Sequence, residues 1–261
     1  MPQLVRWSCF VFFLLMAVVV EAATLHVIIV CDIDAQDIRQ SVEVDVVNVS
    51  KKLQQSALSS GMAYNEKIFM GENIQPNILD VIDQFVVEPD DTVFFYFSGH
   101  GYRTYAKAEN PWPNLYLSLL DAGIDLLDVV KIVEKKNPRL LIAVADCCNN
   151  FLPIRKAPPV IRLPGHALMV RVPGVKNNFT QLFLHTRGKI IVSSSTPGQV
   201  SSGTSYGGVY TYYFLNSLEE EVHSFYKPDW QVILDRTAGH VIKFDSEQVP
   251  QYELNLIPRS S

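Results

Sequence analysis

Cysteine, charge and low-complexity sequence are all scarce in this chain of 261 residues. Its 4 cysteines, Cys9, Cys31, Cys147 and Cys148, include one adjacent pair and no regular spacing, which excludes a disulfide framework. Charged residues make up only 19% and the formal charge is −5, with no run of basic residues. The electrostatic footprint of a nucleic-acid binder is therefore missing. Gly (13) and Pro (15) are too few and too irregular for a collagen-like or disordered chain, and no internal repeat is visible. Hydrophobic residues, by contrast, reach 48%, enough to fill the core of one large α/β domain.

The longest apolar stretch, Trp7 to Val20, covers 14 residues and is broken only by Ser8. That is short of the roughly 18 residues that a spanning helix needs. With Arg6 before it and Val20-Glu21-Ala22 after it, the stretch reads as a cleavable signal over residues 1–22 and predicts a secreted or periplasmic protein. The alternative is an uncleaved anchor, the only route by which a membrane contact is expected. Removing Cys9 leaves three cysteines, and the plainest use of each is to fill the core.

Continuous β-branched and aromatic runs mark strands buried on both faces at Thr24 to Cys31, Glu66 to Met70, Thr92 to Phe97, Leu140 to Ala145 and Lys189 to Ser193. Helical periodicity lies between and after them, at Ile38 to Leu58, Ile74 to Val87, Ile124 to Glu134 and Thr211 to His223. This alternation predicts an α/β fold, a mostly parallel central sheet with helices on both faces. The Pro-rich, basic stretch 152–178 is expected to be a long exposed loop inside a single domain spanning residues 23–261.

Two strand ends carry reactive residues. Ser98-Gly99-His100-Gly101 follows the third strand and Asp146-Cys147-Cys148-Asn149-Asn150 follows the fourth. Open α/β sheets place their ligands at the carboxyl ends of such strands. A His near a thiol supplies the base that cysteine chemistry needs, and glycine neighbours let amides approach an oxyanion. Alone, the first motif is equally a turn, and the second is more often buried filler than a nucleophile. Zinc is disfavoured because two adjacent cysteines and one distant His lack ligand spacing, and no metal or other cofactor is expected.

Together, with His100 preceding Cys148 by 48 residues, the motifs resemble the caspase and metacaspase cysteine peptidases. Asp91 to Gly101 is similar to their strand and catalytic-His turn, and Ala145 to Asn150 to their Asp-x-Cys motif. Gly188 to Gln199, Tyr206 to Thr211, Asp229-Trp230 and Val249 to Tyr252 are similar to their later segments, so the resemblance spans about residues 24–258. It implies a caspase-like fold with His100 as base, Cys148 as nucleophile, the amides of Gly101 and Cys148 as oxyanion donors, and Cys147 turned into the core. It also implies that Asp146 lies in the S1 pocket and that Ser194, in the substrate loop, contacts substrate. A desolvated carboxylate there calls for a cation, hence Arg or Lys at P1 of a protein or peptide substrate. Asp146 has a plainer reading as a structural hydrogen-bond acceptor. Asp45 is either a second acid facing that pocket or a solvated helix position.

The chain departs from the family at Asn149-Asn150, where His or Arg and then Ser or Gly usually follow the nucleophile. It also lacks the acidic cluster of calcium-dependent metacaspases, since Tyr102 to Leu120 holds only Glu109, and no calcium requirement is expected. The resemblance implies an exported endopeptidase acting through a Cys–His dyad and a thioester. Its alternative is an inactive caspase-fold module that binds a partner.

Overall fold

The computed structural model describes residues 22–107, 109–151 and 178–257. The expected signal (1–22) and exposed loop (152–178) fall almost wholly outside the described residues.

The central sheet has six strands. They are β1 (Thr24–Cys31), β2 (Ala63–Met70), β3 (Thr92–Ser98), β7 (Leu140–Asp146), β8 (Gly188–Ser193) and β11 (Gln251–Leu256), in the order β11-β8-β7-β3-β1-β2. The first five are mutually parallel and β11 closes one edge antiparallel to β8. Residues alternate across the sheet, which is why its central strands are apolar throughout. On β3, Phe94 and Tyr96 enter the core of one face while Val93, Phe95 and Phe97 enter the other.

Helices α1 (Arg39–Ser60), α4 (Val209–Val222) and α5 (Trp230–Phe244) cover the first face, with Val49, Leu53, Phe214, Leu218 and Trp230 in its core. The other face is covered by α2 (Ile78–Asp83), α3 (Leu126–Glu134) and a small antiparallel sheet of β4 (Gly101–Tyr102), β5 (Asn114–Leu117) and β6 (Ala122–Asp125). The last hairpin, β9 (Gly203–Thr204) with β10 (Gly207–Gly208), leads directly into α4.

The helix expected over Ile74 to Val87 is only six residues long, Ile78–Asp83. Pro76 disfavours helical geometry at Gln75, and Ile74 is extended, so the helix starts two residues after the proline. Register sets the geometry that matters: Cys31 pairs with Ser98, Ser98 with Asp146, and Ala145 with Ser193. Four parallel strands thus end level, and β1 has β2 on one side and β3 on the other. That reversal of winding direction opens a crevice at the carboxyl ends of β1 and β3.

Candidate active site

His100 sits between two glycines because neither neighbour has room for a side chain. A Cβ on Gly99 would lie 2.7 Å from Asp32 Cβ, and one on Gly101 would lie 2.2 Å from the Cys148 carbonyl oxygen. The turn is therefore pressed against the β1–α1 loop on one side and the end of β7 on the other, and close approach, not left-handed backbone, is what the glycines supply. The Tyr116 amide donates to the His100 carbonyl (3.0 Å), and His100 Nε2 meets Asp37 Oδ1 at 3.0 Å. Asp37 was not among the residues expected from sequence. The only signal for it is the Asp32, Asp34, Asp37 cluster directly after a buried strand.

Cys148 is 4% exposed and lines the same crevice as His100. The Ser201 amide donates to its Sγ (3.2 Å), and the thiol reaches the Ser201 carbonyl at 3.7 Å. Burial, reinforced by the negative charges of Asp146 and Asp37, pushes the thiol up to about 11 against the opposing Ser201 amide. At neutral pH it is a protonated thiol that needs a base. Cys147 turns to the other side and packs with Phe97 and Ala145 in the second core. Cys31 is buried with its thiol on the Phe69 carbonyl (3.5 Å), and burial raises it to about 12. Both are inert filler.

Asn149 is a structural tie. Its amide nitrogen donates to the carbonyls of Pro111 (2.8 Å) and Ser195 (3.3 Å), and its oxygen accepts from Arg103 Nη1 (3.2 Å). The family's usual residue here is thus replaced by one that clamps the loops on either side of Cys148.

Beside Cys148 lie two buried carboxylates. Asp146 Oδ1 accepts from Ser201 Oγ (2.8 Å), and its Oδ2 accepts from the amide and hydroxyl of Thr211 (3.0 and 2.7 Å). Asp45 comes from α1 and is buried, not solvated; its oxygens accept from Ser98 Oγ (2.8 Å) and the Gly208 amide (2.9 Å). Gly208 stands between the two acids, for a Cβ there would lie 2.1 Å from Asp146 Oδ2 and 3.2 Å from Asp45 Oδ2. Burial raises both carboxyls above the ordinary range, that of Asp45 strongly, with the charge of Asp146 adding to it. Among the described residues neither acid has a cationic partner.

The crevice between these groups has a volume of only about 30 Å³ for water, room for one or two molecules. Ser194, expected to contact substrate, does not line this crevice. It is fully buried behind it, where its hydroxyl bridges the Cys147 amide, the Cys147 carbonyl and Ser201 Oγ at 3.0, 3.0 and 2.9 Å. Its place inside the turn after β8 uses the hydroxyl to tie the Cys147 backbone to Ser201.

Among the described residues no group of three or more His, Cys, Asp or Glu side chains is arranged to hold a metal ion, and no helix is long and apolar enough to cross a membrane.

A six-stranded α/β sheet that brings a His turn and an Asp-x-Cys turn to adjacent strand ends has the caspase-like fold. The sequence model of the caspase domain matches residues 24–259, and the chain belongs to that family of cysteine peptidases. Solved structures agree on the fold. Caspase-1 from Spodoptera frugiperda superposes with a TM-score of 0.55 at 16% identity, covering 89% of this chain and 86% of its own. A protein from Geobacter sulfurreducens gives 0.53 at 12% identity, covering 88% and 92%. No curated protein matches the chain significantly.

Proposed function

We propose that this chain is an exported cysteine endopeptidase that cleaves after Arg or Lys. The observation that carries the specificity is the pair Asp45 and Asp146, buried on either side of Gly208 next to Cys148 and lacking any cation among the described residues. Two carboxylates held out of water are costly unless a positive group joins them, and a guanidinium or ammonium from P1 does so. Export rests on the apolar segment that follows Arg6, and the endopeptidase acts without a cofactor.

In this reading His100 takes the proton of Cys148 as the sulfur attacks the scissile carbonyl. The developing oxyanion lies at the amides of Gly101 and Cys148, whose backbones are in close contact. His100 then passes its proton to the leaving amine, which departs and leaves a thioester. Water, deprotonated by His100, attacks the thioester, and the returning proton regenerates the thiol.

The test is hydrolysis of fluorogenic peptides with Arg, Lys or Asp at P1, with calcium and with chelator, beside Cys148→Ala. Turnover of the basic peptides, absent in the variant, is expected. Turnover of the Asp peptide alone would keep the nucleophile and remove the acidic pocket's role.

One observation favours a second reading, a non-cleaving module: the thiol is buried, protonated and held by Ser201. Labelling by iodoacetamide separates the two. A Cys148 no faster than Cys31 and Cys147 in the presence of a basic peptide favours the module.

A further inference from the structure

The geometry points to Asp37 as a positioning residue for His100, making the site a Cys–His–Asp arrangement whose acid comes from the β1–α1 loop; the inference rests on the peptidase reading. Asp37 Oδ1 is 3.0 Å from His100 Nε2. An ionised carboxylate only accepts, so Nε2 carries the hydrogen and Nδ1 is the basic nitrogen. Nδ1 has no partner among the described residues, and the ring lines the crevice that also holds Cys148.

Two further contacts preset the pair. The Asp32 amide donates to the Ser98 carbonyl (3.0 Å), and the Asp32 carboxylate accepts from the Ser118 amide and hydroxyl (3.2 and 2.6 Å). The loop that carries Asp37 is thereby fastened to the strand leading into His100. The missing Cβ of Gly99 lets Asp32 pack on the His turn itself. Asp32 is committed elsewhere, since its two oxygens accept from the Ser118 amide and hydroxyl.

During attack the thiol proton moves to Nδ1, Nε2 keeps its own, and Asp37 stays ionised beside the imidazolium. Leaving-group protonation then empties Nδ1 again. The carboxylate holds ring and tautomer throughout and is never itself a proton carrier.

The side chain of Asp37 is 45% exposed, so its pairing adds little to stability. This separates a positioning role from a structural one. Asp37→Ala is expected to lower kcat about 10- to 100-fold on the preferred basic peptide, with KM within about twofold and an unchanged melting temperature. Asp37→Glu should recover part of the loss, and ¹⁵N spectra of the ring should show the Nε2–H tautomer in wild type and a mixture in Asp37→Ala. An active wild type whose Asp37→Ala variant keeps kcat within about twofold overturns the inference and leaves the peptidase reading standing. A wild type that cleaves none of the peptides overturns both.

Discussion

At the scale of single residues, the buried acids give the site a pH signature. Asp45 has a folded-state pKa well above its ordinary value of 3.8, because burial and the nearby Asp146 disfavour its charge. The folded chain then holds a proton that the unfolded chain releases near 3.8. Stability from this group is complete below that pH and is lost as pH rises toward the folded-state value. Asp45→Asn keeps an oxygen for the Gly208 amide but has nothing to ionise, so its melting temperature should fall less steeply than wild type above pH 4 (roughly the ordinary carboxyl range). Thermal unfolding from acid to neutral pH checks this, and parallel curves would contradict it. His100, Cys148 and Asp146 were legible because each stands within two residues of an apolar strand's end. Asp45 was ambiguous because a helix periodicity does not say what lies opposite. For Asp37 the sequence offers only an acidic cluster after a strand, because a loop's path is set by packing, here of Asp32 against Gly99.

At the scale of elements, the His and Cys turns are held by a shared clamp. Arg103, buried just after β4, donates from Nη2 to the carbonyls of Lys107 (2.8 Å) and Asn110 (2.9 Å) and from Nη1 to Asn149, while its amide reaches the Asn150 carbonyl (2.8 Å). Phe151 lies under its guanidinium, 5.6 Å from ring centre to Cζ. Asn149→Ala removes an acceptor from this buried cation and the donors of two carbonyls, so a loss of about 1–3 kcal/mol in urea unfolding is expected. Asn150→Ala is the control: the Asn150 side-chain nitrogen and oxygen are buried without partners. Its removal should be neutral or stabilising, and equal losses from both variants would argue against the clamp. The inner strands β1, β3, β7 and β8 were readable as elements because burial leaves unbroken apolar runs, whereas β2 is an edge strand whose residues are mostly exposed or half-buried, not buried on both faces as expected, and the edge strand β11 has no such run to mark it. The two- and four-residue strands β4 to β6 and the clamp they carry were not, because such short pieces have no period of their own and exist only against the body of the fold.

At the scale of the whole molecule, the sheet is shared across the segment 152–177. Residues before it supply β1, β2, β3 and β7, and residues after it supply β8 and β11. The seam is the parallel ladder from Leu140–Gly188 to Ala145–Ser193, in the interior of the sheet. One core joins the same two parts, since Val42, Val49 and Leu53 of α1 lie in a cluster with Phe214, Leu218 and Trp230. The site is divided in the same way: His100, Cys148, Asp45 and Asp146 come from the first part, while Ser201 and Gly208 come from the second. Separating the parts would strip a buried ladder and an apolar face at once, so a single cut inside 152–177 should leave them joined. With a protease recognition sequence inserted after Pro164, the cut protein is expected to elute at the mass of the intact chain and to resolve into two pieces only in denaturant. Its unfolding midpoint should become dependent on protein concentration, as for any complex of two chains. Fragments that elute apart in native buffer would show that the peptide connection, not the ladder and core, holds the halves together. Survival of the cut complex would mean that self-cleavage in this segment, which the basic residues Arg155, Lys156, Arg162, Arg171 and Lys176 offer to an enzyme of the proposed specificity, can proceed without dismantling the site.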